Sequence, residues 1–74
     1  AISINQILRF AISHHATHLV IAHNHPFAEA RPSKADLELT EQIQTACRLV
    51  EIELIDHCII ARYSSFSFAE HQLL

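Results

Sequence analysis

The stretch that decides how this chain is read is "HNHPFAEARPSKAD", His23 to Asp36. Its first histidine ends an apolar run, "THLVIAH" over residues 17–23, whose β-branched content reads as a short strand covered on both faces. His25 precedes Pro26, which holds it extended. Side chains on an extended segment repeat every two residues, so His23 and His25 face the same side. They leave the strand at its C-terminal end, where α/β sheets tend to bind ligands. Ser33 then reads as the N-cap of a helix and Asp36 as the carboxylate of its first turn, which can be brought opposite the two histidines.

Two imidazoles and one carboxylate supply three protein ligands to zinc and leave a fourth position open, the pattern of a catalytic rather than a structural site. A metal so held polarises a carbonyl and activates water at neutral pH. The same residues also have a plainer reading. A chain with 7 histidines contains roughly 0.6 His-x-His pairs by chance. Ser33-x-x-Asp36 is a helix-start signal with no metal at all.

Working outward, Ile4, Ile7, Leu8, Ala11, Ile12 and His15 fall on one face of a helix over residues 4–15. Ser3 with Gln6 matches a capping box ahead of it. A second helix is expected over 34–50, with Leu39, Ile43, Ala46, Cys47 and Val50 as its buried stripe. "ELIDHCIIA" (53–61) reads as a second strand, and "RYSSFSFAEHQLL" as a short strand or turn followed by one helical turn. In that tail Phe66 and Phe68 alternate with serines, which anchors it to the core. The order α-β-α-β gives an α/β fold. Two strands do not stand alone as a sheet, so upstream strands or a partner chain are expected to complete it.

Composition narrows the function classes. Seventy-four residues make one small domain at most. Half of them are apolar and 18% are charged, which is globular composition. No apolar run approaches the ~18 residues of a membrane span, and "AISINQ" lacks the basic region of a secretory signal. With no Met in the chain, residue 1 is not an initiator, and a processed protein or a piece of a longer one is expected. A net charge of −3 disfavours a phosphate-neutralising, nucleic-acid-binding surface. Cys47 and Cys58 have no CxxC spacing and read as free thiols of a reducing, cytoplasmic compartment. There is no Gly, so a left-handed turn falls to Asn24 or to a strained residue. HExxH, the zinc-deaminase signature and a G-x-S-x-G elbow are all missing.

Together, "AHNHPFAEARPSKADLELT", "IELIDHCII" and "SFSFAEHQLL" resemble the RadC-like proteins of the JAMM/MPN metallopeptidase superfamily. The superfamily pattern is His-x-His-Pro, a short loop, then Ser-x-x-Asp, and here it falls on His23, His25, Pro26, Ser33 and Asp36. Asn24 between the histidines, the Pro32-Ser33 pair, Thr40 and Asp56-His57 give it the RadC-like character. The resemblance implies a mixed sheet packed between helices, of which residues 1–74 form the C-terminal portion. It implies that His23, His25 and Asp36 bind Zn2+, and that Ser33 hydrogen-bonds a peptide or isopeptide carbonyl and stabilises its oxyanion. It also implies an upstream Glu as general base, on a strand that precedes this chain. Phe27 and Ala28 stand where the family loop has Ser-Gly, and Gln72 stands where it has Gly. Glu29 is the one loop carboxylate that could stand in for the base, although solvation is its plainer role.

Of the remaining histidines, His14 and His15 suit a helix C-terminus, and His18 and His71 carry no motif. Asp56 and His57 are neighbours in a strand and face opposite ways, so one of them supports a ligand histidine or simply packs. Three readings stand side by side: a zinc-dependent amide hydrolase, a metal-binding scaffold without turnover, and a structural module whose open sheet edge pairs with a second copy as a homodimer.

Overall fold

A computed structural model describes residues 3–26 and 29–74. The elements follow the expected α/β order, with one more strand: α1 (Ile4–Ser13), β1 (His18–Asn24), α2 (Lys34–Leu49), β2 (Glu53–Ile60) and β3 (Ser65–Ser67). The sheet is mixed, in the order β1-β2-β3. β1 and β2 run parallel across the α2 crossover, and β3 returns antiparallel to β2. The tail is thus a strand followed by a turn.

Both helices begin where local chemistry starts them. Ser3 accepts the Gln6 N–H while the Gln6 side chain accepts the Ser3 N–H, and Ser33 and Asp36 repeat this arrangement at α2. Each such box satisfies two of the backbone donors that a helix start leaves orphaned.

The helix ends correct the sequence reading. α1 stops at Ser13, so His15 is not on its face, and Ile12 is exposed. His15, Glu51 and Gln72 adopt positive φ, at 55°, 60° and 57°; Asn24 does not. All three close the same motif. The N–H groups of Ala16, Ile52 and Leu73 reach back to the carbonyls of Ala11, Cys47 and Phe68, while those of His15, Glu51 and Gln72 reach Ile12, Arg48 and Ala69. These are paired 6→1 and 5→2 bonds, a Schellman closure built without glycine. Gln72, at the position where the resemblance leads one to expect Gly, is one of the three left-handed residues.

α1 and α2 feed one core of Ala11, Ile43, Cys47, Ile52 and Leu54, with Leu19 and Ile21 of β1 packed against it. Thr40 joins the buried stripe of α2, and Val50 does not. β1 is covered on one face only: Leu19, Ile21 and His23 are half-buried, whereas Val20, Ala22 and Asn24 are exposed. The expected two-sided cover is corrected because, among the described residues, the packed layer lies on the side of Leu19 and Ile21.

A slip in register positions the site. Leu19 pairs with Leu54, but Val20 pairs with Asp56, leaving Ile55 as an extra residue in β2. Such a bulge reverses the inward–outward phase of the residues beyond it. Leu54 is buried before it, and His57 and Ile59 are buried after it. His57 is thereby turned to the side of β1 that carries Ile21 and His23. Phe68 seals the arrangement: it is fully buried and stacks on the His57 ring at 4.7 Å.

Candidate metal centre

His23 is the last half-buried position of β1, and His25 lies just beyond it. The His25 N–H donates to the Ile60 carbonyl at 2.9 Å, which carries the sheet pairing one step past the strand. That bond keeps His25 extended and in phase with His23, and the two rings stand 5.1 Å apart. Downstream, the Ala30 N–H donates to Ser64 Oγ at 3.0 Å and ties the loop to the β2–β3 hairpin. Phe27 and Ala28, where the chain departs from the family loop, lie outside the described residues.

The loop delivers α2 with its N-terminus facing the two rings. Asp36 Oδ2 accepts the Ser33 N–H at 2.9 Å and lies 3.2 Å from His25 Nε2, while Oδ1 lies 3.6 Å from His23 Nε2. The helix-start reading and the metal reading of Asp36 are therefore compatible, since one carboxylate caps the helix and faces both imidazoles. Burial alone raises the Asp36 pKa. The two hydrogen bonds with Ser33, the nearby His23 charge and the bond to His25 outweigh that effect and bring it below the ordinary carboxylate value.

The donor set fits a zinc ion. One atom from each of His23, His25 and Asp36 lies within 4.8 Å of the other two. A tetrahedral site with bonds of about 2.0–2.1 Å separates neighbouring ligand atoms by about 3.3 Å. The contact of Asp36 Oδ2 with His25 Nε2 at 3.2 Å and that of the other oxygen, Oδ1, with His23 Nε2 at 3.6 Å lie on either side of that spacing. All three side chains are partly shielded, with 33%, 20% and 16% of their surface exposed.

Ser33 sits beside this cluster with its oxygen accepting the Asp36 N–H at 3.0 Å. Its hydroxyl hydrogen has no acceptor among the described residues. Glu29 is turned to an ion pair with Arg31 at 3.4 Å, with both side chains more than three-quarters exposed. Exposed pairs of this kind contribute little.

Behind His23 lies a connection that sequence spacing left undecided. His57 Nε2 is 2.8 Å from His23 Nδ1, and His57 Nδ1 is 2.6 Å from Thr40 Oγ. The Thr40 hydroxyl in turn donates to the Asp36 carbonyl at 2.7 Å. Burial is the main cause pushing the His57 pKa below the usual histidine value; the His23 charge adds to it, while Asp36 and Asp56 oppose it. Thr40 had a signal in the sequence, since it lies four residues after Asp36 and so on the same helix face. Which of Asp56 and His57 supports a ligand histidine was left open in the sequence, because it depends on the bulge.

Asp56 faces away and pins the tail. It accepts from the His57 N–H at 2.7 Å, Ser67 Oγ at 2.6 Å and the Ala69 N–H at 3.0 Å. The other histidines stand apart from the cluster. His14 bonds the Phe10 carbonyl, His18 contacts Glu53, and His71 stacks on Phe66. Cys47 and Cys58 are free thiols, both held protonated at neutral pH, chiefly by burial. Among the described residues no helix is long and apolar enough to cross a membrane.

The chain is similar to known proteins over nearly its whole length. The chain matches the RadC-like JAB domain over residues 1–73. A UPF0758 protein of Acinetobacter baylyi is 63% identical over 73 residues, which cover 99% of this chain and 27% of that protein. One from Acinetobacter baumannii is 60% identical over 74 residues, all of this chain and 32% of the relative. One from Psychrobacter cryohalolentis is 47% identical over 73 residues, 99% of this chain and 32% of the relative. The chain thus spans about a third or less of the length of these curated relatives. With the match extending over nearly every residue, the chain belongs to the RadC-like JAB domain family.

Proposed function

We propose that this chain forms the metal-holding part of a zinc-dependent hydrolase that cleaves an amide or isopeptide bond. The observation that carries the reading is the convergence of His23, His25 and Asp36 donor atoms within 4.8 Å. When bound, zinc supplies Lewis-acid polarisation of a carbonyl and a nucleophile at neutral pH. His23 and His25 hold the ion through their Nε2 atoms, and Asp36 supplies the anionic oxygen. Ser33 offers its hydroxyl hydrogen to the carbonyl oxygen of the substrate as negative charge builds there. A groove of about 720 Å³ beside the cluster, lined in part by Phe10, Val20 and Leu39, gives an acyl chain an apolar bed. The general base is a Glu supplied from outside these residues, and the protein works in the cytoplasm, where Cys47 and Cys58 stay reduced.

The test is turnover by the full-length protein on peptide and isopeptide substrates. Cleavage that disappears with chelator, returns with zinc and is lost in Asp36→Ala is the expected result. Bound zinc with no cleavage of any amide substrate would reduce the chain to a metal-binding scaffold.

A further inference from the structure

We infer that Thr40 and His57 are positioning residues that fix the His23 ring in the tautomer that presents an Nε2 lone pair to the metal. This rests on the metal reading above and names the side chains that prepare one of its ligands.

The direction of each proton is set by what each partner can do. The Asp36 carbonyl only accepts, so the Thr40 hydroxyl hydrogen points to it at 2.7 Å. Thr40 Oγ then meets His57 Nδ1 at 2.6 Å with lone pairs alone, and His57 Nδ1 must carry the hydrogen. In a neutral ring the other nitrogen is unprotonated, so His57 Nε2 accepts. Its partner at 2.8 Å, His23 Nδ1, must donate. When the His23 ring is also neutral, its Nε2 is left with a lone pair, and it is the atom that faces Asp36 at 3.6 Å.

The chain is isolated from water where it matters. Thr40 is 2% exposed and His57 1% exposed. Solvent therefore cannot supply an alternative acceptor for the His57 N–H, and a buried donor left unmet is destabilising. The His57 ring cannot swing either, since Phe68 lies parallel to it at an interplanar angle of 10°. Metal-ligating histidines are commonly oriented through their second ring nitrogen by a carboxylate, a backbone carbonyl or water. Here the orienting group is another imidazole, and its own tautomer is set by a helix threonine bonded back to the residue that caps the helix. Asp36 is thus tied to the site twice, through its carboxylate and, by way of Thr40 and His57, through its carbonyl.

Replacing Thr40 by Val keeps the shape and removes the acceptor. The His57 hydrogen then does better on Nε2, against His23 Nδ1, which moves the His23 hydrogen onto Nε2, where it opposes zinc. Two measurements on the full-length protein test this. Site-assigned ¹⁵N imidazole spectra of the metal-free wild type are expected to show hydrogen on Nδ1 of both His23 and His57. Zinc titration is expected to show affinity about 10–100-fold weaker in Thr40→Val, restored in Thr40→Ser. A His23 ring protonated on Nε2 in the wild type, or Thr40→Val binding zinc as tightly as Thr40→Ser, overturns the inference. If the wild type takes up no zinc, it is the metal reading that fails, and the tautomer spectra alone decide the proton order.

Discussion

Val20 of β1 stands opposite Asp56 of β2, although the residue before it, Leu19, stands opposite Leu54. That one-residue slip sets the architecture of the site. Strict alternation from Leu54 would place Asp56 inward and His57 outward. The extra residue, Ile55, exchanges them. Asp56 is freed to bind the tail, and His57 is delivered to His23.

Ile55 is then a spacer rather than a core residue, and it is 43% exposed, whereas Ile59 is fully buried. Ile55→Ala is expected to cost less than about 1 kcal/mol, and Ile59→Ala about 2–5 kcal/mol. Urea unfolding of the two variants checks this, and equal losses would contradict the assigned phase of β2.

The three left-handed residues are targets for stabilisation. A non-glycine residue in this conformation costs roughly 1–2 kcal/mol, part of which the greater freedom of unfolded glycine offsets. His15→Gly, Glu51→Gly and Gln72→Gly are each expected to raise stability by about 0.5–1 kcal/mol, and to do so additively where the sites share no contacts. Thermal denaturation of the single and triple variants checks it. A loss of stability at all three would contradict the closures described above.

Acid sensitivity should track Asp56. Burial raises its pKa, but the bonds from Ser67, Ala69, His57 and Cys58 outweigh burial and leave it below the ordinary value. A carboxyl depressed in the folded state stabilises above its unfolded value of about 3.9, and that stability is lost as pH falls through the lower folded value. Asp36 contributes with the same sign. Denaturant midpoints measured from about pH 6 to pH 2 should therefore fall less steeply in Asp56→Asn than in the wild type. Parallel curves would show that Asp56 does not hold the tail as charged carboxylate.

Much of this was legible in the residues because it rested on local rules. Ser3 with Gln6, and Ser33 with Asp36, mark helix starts by hydrogen bonds spanning three residues. His23 and His25 share a side because extended backbone repeats every two. The parts that escaped are long-range or conformational. Nothing in "ELIDHCII" announces that Ile55 stands outside the register, since a bulge depends on what the partner strand pairs with. The glycine-free helix ends were hidden because His15, Glu51 and Gln72 look like helix or surface residues. The strand over 17–23 read as doubly covered because Val20 and Ala22 are as apolar as Leu19 and Ile21, and composition cannot say which face is packed.

The proposed metal site is a single coordination sphere made by His23 Nε2, His25 Nε2 and an Asp36 carboxylate oxygen. Zinc content by elemental analysis, joined to X-ray absorption on the zinc-loaded protein, tests it most directly. One tightly held zinc is expected in the wild type, with imidazole nitrogen and oxygen neighbours, and its loss in both His25→Ala and Asp36→Ala. Equal zinc in all three proteins, or a shell containing sulfur from Cys47 or Cys58, would contradict it.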